Sequence, residues 1–210
     1  MSLGPVDADS TFRFAFDNTV KKPLRWVGLS IVFWIPIINF IAMGIFLKVY
    51  RGEEPDFTNA GKSFIQGLLL FIILIIYVLI PPLIILNLLS AVFSASESIS
   101  AITLVGIFIS ILIIILGFIM IPATINFARK QSFGAAFALG QIFSMIGKLG
   151  IVHFISAWIL YEVIVFAFTL AVGLIVGLVS AIPVVGAVII LLYGSFIGLF
   201  SAKYFNTLFE

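Results

Sequence analysis

Few side chains in this sequence could carry out chemistry, and they form no catalytic pattern. Glu162 stands out because it interrupts a long apolar run, and an ionisable group inside a membrane span is costly and usually faces water or a partner. In a second interpretation the span starts later and Glu162 lies near the membrane interface. His153 precedes Glu162 by nine residues, which places the two on opposite sides of a straight helix.

No second ligand with the spacing of a metal site accompanies His153. The sequence also has no glycine-rich phosphate loop and no nucleophile elbow. We therefore expect no catalytic residue, no cofactor and no metal, and we predict that the protein is not an enzyme.

Two asparagines, Asn39 and Asn87, lie within apolar segments. Each either lines a route for a solute or makes a hydrogen bond to a neighbouring helix, as polar residues in membrane helices commonly do. A turn at residues 51–56 combines three acidic residues with an arginine. Its simplest interpretation is a solvated charged loop.

The composition indicates where these residues reside. The chain has 210 residues, of which 63% are hydrophobic and 10% charged, against about 25% charged in average soluble domains. A net charge of +2 is too small to suggest nucleic acid as a partner. The chain is therefore predicted to be an integral membrane protein whose main partner is the lipid bilayer.

The fold class predicted from hydropathy is all-α, a polytopic helical bundle with about four spans, a re-entrant hairpin and interfacial helices. Residues 1–25 are interpreted as a tail followed by an amphipathic helix from Thr11 to Lys22 in the headgroup plane. Residues 26–210 form a single membrane domain. Its apolar segments are residues 26–47, 63–96, 101–125, 150–178 and 183–202.

Proline and glycine residues interrupt several of these segments. The predicted helix breaks are Pro36, Pro81, Pro82, Pro183 and Gly186. At Pro81 and Pro82 the expected form is one kinked, tilted helix of about thirty residues. Segment 26–47 has two interpretations: a kinked span, or two half-helices that enter and leave on the same face. The helix that starts near Ile102 is expected to end at Pro122, and Ser132 is expected to cap a helix from Phe133 to Ile146.

Basic residues can test these alternatives, because Lys and Arg prefer the cytoplasmic side of short loops. If segment 26–47 spans, four Lys and Arg fall on one side and seven on the other. If it re-enters, all eleven fall on one side, and the opposite side carries Glu97 without a basic residue. The count favours re-entry, with both termini cytoplasmic in a multi-pass protein of the cell membrane.

Small residues recur at every fourth position in the last apolar stretch, residues 163–202. Gly173 and Gly177 precede the break at Pro183, and Gly194 and Gly198 follow it. Such stripes allow membrane helices to approach closely. We expect a tightly packed helical hairpin at the end of the chain.

Several short motifs are distributed along most of the chain. They are Phe12-x-x-Ala15-Phe16, Ile35-Pro36-x-x-Asn39, residues 50–57, residues 77–82, residues 132–137 and residues 182–186. Their order resembles that of an uncharacterised family of archaeal and bacterial membrane proteins, domain of unknown function 4013, and the loop after the first apolar segment is the most specific of them. The resemblance implies a multi-spanning membrane fold and brings no activity and no functional residues.

A looser likeness concerns the turns around Pro36 and Pro183, which look like those of bacterial sulfate-uptake channels. The paired half-helices of these channels penetrate the membrane without crossing it. The likeness supports the geometry of a hairpin and implies no specificity for sulfate.

Two functions from different classes remain. One is a channel or transporter for a small solute, with anions as a candidate class, lined by discontinuous helices. The alternative is a non-transporting scaffold or assembly factor that packs through glycine-rich helix faces against copies of itself or another membrane protein.

Overall fold

The computed structural model describes residues 7–93 and 99–210, and this part of the chain is helical with no strand. Four stretches are long and apolar enough to cross a membrane: Ala60–Asn87, Thr103–Lys130, Ile151–Leu178 and Pro183–Leu208. The predicted all-α polytopic bundle is therefore confirmed. The helices are α1 (Ala8–Asn18), α2 (Pro23–Trp34), α3 (Asn39–Tyr50), α4 (Ala60–Leu74), α5 (Ile80–Phe93), α6 (Ile99–Lys130), α7 (Leu139–Leu149), α8 (Ile151–Leu178) and α9 (Pro183–Leu208).

These helices form two compact units. The larger unit contains the described residues up to Leu68 together with Phe143–Glu210, and the smaller unit is Leu69–Ile142. The predicted link at Glu97 lies outside the described residues.

Helix α1 starts earlier than the sequence suggested. The Asp7 side chain accepts a hydrogen bond from the backbone N–H of Asp9 at 3.0 Å and caps the helix. The helix ends at Asn18, and the hydroxyl of Thr19 donates to the carbonyl of Ala15 at 2.6 Å. The predicted range from Thr11 to Lys22 is thus wrong by about one turn at each end.

Helices α2 and α3 form an antiparallel hairpin of two 12-residue helices. Pro36 lies in the turn between them, where its missing N–H and its restriction on Ile35 end α2. Lys22 and Arg25, at the start of α2, lie 3.8 and 3.7 Å from the carboxylate of Glu54, just beyond α3. The segment therefore returns to the end at which it began.

The helix around Pro81 and Pro82 continues with a distortion, in agreement with the expected kinked helix. A five-residue π-helical turn, Ile75–Leu79, joins α4 to α5 directly before the two prolines. Neither proline can donate a backbone hydrogen bond, so the carbonyls one turn earlier lose their usual partners. A π-bulge is a recognised response to such a loss.

Helix α6 passes through Pro122 and ends at Lys130, so the predicted end at Pro122 is wrong. An interior proline costs about 3 kcal/mol, and tertiary packing offsets it. Ala123, Ile125 and Phe127 are buried, and the Asn126 side chain donates to the carbonyl of Ala135 at 2.8 Å.

The expected helix from Phe133 to Ile146 is two elements, a 3-10 helix (Phe133–Phe137) followed by α7. The Ser132 side chain makes no capping hydrogen bond. The Phe137 ring instead stacks on Tyr77 at 5.5 Å, whose hydroxyl donates to the carbonyl of Ala136 at 2.7 Å. The conformation of this segment is therefore determined by tertiary contacts and not by local helix propensity.

Helices α8 and α9 form the hairpin expected at the end of the chain. Pro183 is the first residue of α9, where a missing N–H costs nothing. Gly186, predicted as part of the break, lies inside α9 instead, and an added Cβ there would meet the Val176 side chain of α8 at 3.4 Å. Gly186 is thus a packing position rather than a turn-former.

Candidate functional site

The larger unit is built around α9, against which the α2–α3 hairpin packs. The indole N–H groups of Trp26 and Trp34 donate to the carbonyls of Leu192 and Leu191, at 3.1 and 3.2 Å. Between them, the buried hydroxyls of Ser30 and Ser195 share a 2.5 Å hydrogen bond. These bonds satisfy the polar groups that α2 carries into an apolar interface.

Gly194 and Gly198 make room for aromatic rings of this hairpin. An added Cβ at Gly194 would stand 2.9 Å from the Phe33 ring, and one at Gly198 would overlap the ring of Phe46. The stripe on α9 therefore faces the α2–α3 hairpin. For Gly173 and Gly177 on α8, no atom of the described chain comes within 4 Å of an added Cβ.

A closer helix crossing, which sequence reasoning missed, joins α3 to α4. An added Cβ at Gly44 would collide with the carbonyl of Ser63, and one at Gly67 with the carbonyl of Phe40. Backbone therefore meets backbone at this crossing. The sequence pattern that could have predicted this close approach is the spacing of small residues at positions 60, 63 and 67 of α4.

The turn of the α2–α3 hairpin, residues 35–38, is called the apex here. Ile37 has a φ of +71°, a conformation that β-branched residues rarely adopt, and its side chain is 69% exposed. Asn39 stabilises the turn, since its side-chain amide donates to the carbonyl of Phe33 at 2.6 Å. Its Oδ1 atom is buried without a hydrogen-bond partner among the described residues.

Asn87 lies in the smaller unit on an exposed side of α5. Its side-chain amide donates to the carbonyl of Leu83 at 2.8 Å, within its own helix. Neither of the two interpretations of Asn87 receives support from this bond.

Glu162 is exposed on α8, while its neighbour Tyr161 points into the α8–α9 interface and shares a 2.6 Å hydrogen bond with the Ser201 hydroxyl. The continuous α8 helix keeps His153 on the side opposite to Glu162, as the nine-residue spacing predicted. The two residues therefore do not form a joint site.

The charged loop after α3 is held from within by Lys48. The largely buried ammonium of Lys48 donates to the Asp56 carboxylate at 2.7 Å and to the carbonyl of Thr58 at 2.7 Å. Hydrogen bonds from Lys48 and Thr58 lower the pKa of Asp56 from 3.8 to about 2. Beside it, the hydrogen bond from Arg51 lowers the pKa of Glu53. The loop is thus an internally paired structure rather than an open cluster of acids.

Among the described residues, no group of three or more His, Cys, Asp or Glu side chains is placed to hold a metal ion. The features described above are apolar helices, two helical hairpins and a charged loop whose side chains pair with one another. Together they define an integral membrane protein of the all-α, polytopic class.

The comparison with protein families then identifies the chain. It belongs to the family described as "Protein of unknown function (DUF4013)", whose model matches residues 28–177. The resemblance drawn from the sequence motifs is thereby confirmed. No curated protein and no solved structure matches the chain.

Proposed function

We propose that the protein is a channel or transporter for a small solute, in which the α2–α3 hairpin re-enters the membrane and its apex borders the route. The observation that carries the proposal is the exposed, non-helical apex at the tip of two short helices. The same proposal assigns no enzymatic activity to the chain.

The length of the hairpin supports re-entry. Each helix has 12 residues and is about 18 Å long, against about 30 Å for the hydrocarbon core. Ion pairs join Lys22 and Arg25, at the start of α2, to Glu54 in the loop after α3. An apex that starts from a charged surface and reaches about 18 Å ends near the middle of the membrane.

The exposure of the apex supports a water-filled route. Non-helical backbone at membrane depth is tolerated only where it is buried in protein or lines such a cavity. Ile37 also holds a strained φ, which costs on the order of 1–3 kcal/mol and is typical of functional sites. The unpartnered Oδ1 of Asn39 adds a buried acceptor next to the apex.

The geometry of the apex does not select the charge of the permeant solute. The N-terminus of α3 and the C-terminus of α2 both lie at the apex, so a partial positive and a partial negative charge meet there. Anions are the first class to test because a broken helix can present its N-terminus to them. Cations and neutral solutes belong in the same assay.

Antiparallel helix pairs in the larger unit agree with the orientation that the count of basic residues favours. The close crossing pairs Gly44 with Ser63 and Phe40 with Gly67, so α4 runs opposite to α3. Helix α9 likewise runs opposite to α8. With a re-entrant α2–α3 hairpin, all eleven Lys and Arg share one face, which we propose is cytoplasmic together with both termini.

Proteoliposome flux is the test. Purified protein should conduct at least one of sulfate, chloride, potassium or a small neutral solute above the level of protein-free vesicles. The variant Ile37→Trp should reduce that flux several-fold by filling the route. Leu24→Trp is the matched control, because Leu24 is exposed at the opposite end of the same hairpin, and its flux should be unchanged. Folded protein without flux of any class would overturn the proposal.

A scaffold function is the second candidate, and one observation favours it. Gly173 and Gly177 share an exposed side of α8, and such a face suits a helix from another membrane protein or a second copy. Crosslinking in native membranes should then trap a stable complex that Gly173→Leu weakens. Gly106→Leu is the control, since Gly106 of α6 also has nothing within 4 Å of an added Cβ.

A further inference from the structure

We propose that the polar boundary of the membrane crosses the larger unit at the level of Glu162 and Lys203. In this arrangement Glu162 contacts lipid headgroups and water and is not part of a route inside the membrane. The first three turns of α8 then project beyond the hydrocarbon. The proposal is independent of the transport function.

The register of the α8–α9 hairpin places Glu162 and Lys203 at the same depth. Tyr161 shares a hydrogen bond with Ser201, and its ring lies 4.6 Å from that of Phe205. Glu162 directly follows Tyr161 on α8, and Lys203 lies midway between Ser201 and Phe205 on the antiparallel α9. At 1.5 Å per residue, they differ by only a few ångströms in height.

The two charged residues also bound the longest apolar stretch of the chain. Residues 163–202 contain no charged residue, and the turn between α8 and α9 divides them nearly in half. The two arms, residues 163–178 and 183–202, are about 24 and 30 Å long. One crossing of a roughly 30 Å hydrocarbon core fits this length.

Helix α1 lies near this level and partly below it, because its Phe12 ring stacks at 5.8 Å on Phe168, six residues beyond Glu162 on α8. The ammonium of Lys203 lies 5.7 Å from the ring of Phe14 on α1. The outward side of α1 carries a 2.8 Å ion pair between Asp9 and Arg13, and both side chains are well exposed. Exposed ion pairs of this kind require water or headgroups, because charged groups in hydrocarbon are costly.

The α2–α3 hairpin gives a further, independent mark. The ring of Phe46 on α3 packs against Gly198 of α9, and Arg51 and Lys203 each lie five residues further along these two helices. Arg51 pairs with Glu53 at 2.6 Å. The charged loop after α3 therefore starts at the level of Lys203, and the apex lies about 18 Å below it.

Three elements, α8, α9 and the loop after α3, thus bring charges to one level, and the arms of α8 and α9 below that level contain no charged residue. The stretch Ile151–Tyr161 of α8 lies above it and extends for about 16 Å. This stretch packs on the end of α9, where the hydroxyl of Tyr204 donates to the carbonyl of Ala157 at 2.7 Å. A hydrogen-bonded, aromatic junction of this kind is typical of the membrane interface.

Cysteine accessibility tests the assignment, and the chain has no native cysteine. Val152 and Leu174 form a matched pair on α8, since their side chains are 77% and 70% exposed and differ in depth. In proteoliposomes, a membrane-impermeant maleimide should label V152C at least tenfold faster than L174C. E162C should react at an intermediate rate.

Two results would overturn the proposal. Protection of V152C equal to that of L174C would place the boundary beyond the start of α8 and return Glu162 to the membrane interior. Rapid labelling of L174C would place the whole face of α8 in water. Where either variant fails to elute as folded protein, I151C and L170C replace the pair, because both positions are also exposed.

Discussion

Replacing Gly67 with alanine should open the crossing between α3 and α4, and the structure gives the size of the effect. The Cβ of an alanine at position 67 would stand 1.8 Å from the carbonyl oxygen of Phe40, whereas real Cβ atoms essentially never approach closer than 3.0 Å. The two backbones must therefore separate by about 1.2 Å, because neither partner is a side chain that can rotate away.

Overpacking of this kind costs about 1–3 kcal/mol, and contact between backbones places Gly67→Ala at the upper end. Alanine returns about 1 kcal/mol through its better helix propensity. The net loss is about 2 kcal/mol, which corresponds to a fall in Tm of about 4–8 °C for a chain of this size. Because the crossing positions the hairpin, solute flux should decrease in the same variant.

Thermal unfolding in detergent, followed by size-exclusion chromatography, measures this effect. Gly61→Ala is the matched control, since Gly61 lies on the same helix with nothing within 4 Å of an added Cβ. That variant should keep its Tm or gain a few degrees. Equal stability of the two variants would refute the close crossing and the direction of α4 that depends on it.

Three further predictions concern the paired charges and a buried hydroxyl. Lys48→Met should destabilise the protein by about 2–3 kcal/mol, because the buried ammonium anchors the loop. Lys21→Met is the control, since it removes only an exposed ion pair and should cost less than about 1 kcal/mol. A Tm that falls no further in Lys48→Met than in Lys21→Met would contradict the anchoring role. The pKa of Asp56 is lowered to about 2, so its contribution to stability is nearly complete above pH 4 and should disappear as the pH falls from 4 to 2, a loss of about 1–2 kcal/mol. In a pH series of unfolding, Lys48→Met should reduce this loss, and the hydrogen bonds from Thr58 should retain the remainder. Tyr77→Phe removes the bond to the carbonyl of Ala136 and should lower stability by about 1–2 kcal/mol, whereas an unchanged Tm would mean that water replaces the hydroxyl.

The sequence by itself determined the properties that depend on local composition. Runs of apolar residues longer than a globule can bury predicted the membrane class, because each span must satisfy its own backbone hydrogen bonds. Pro36 and Pro183 marked the two hairpin turns, since a proline removes a donor and restricts its predecessor whatever surrounds it. The motifs around these turns also identified the family.

The tertiary structure decided which residues meet, because contacts between distant segments have no signature in local pattern. Pro122 breaks a helix by local rules, yet α6 continues past it, since the residues that follow are buried. The stripe at Gly194 and Gly198 predicted close packing but not its partner, which is the α2–α3 hairpin. For Glu162 the sequence left two interpretations open, and the proposal that it lies at the interface depends on the register of α8 and α9, which only the tertiary structure supplies. Depth in the membrane is a property of the packed helices, and the sequence alone supplies only their lengths.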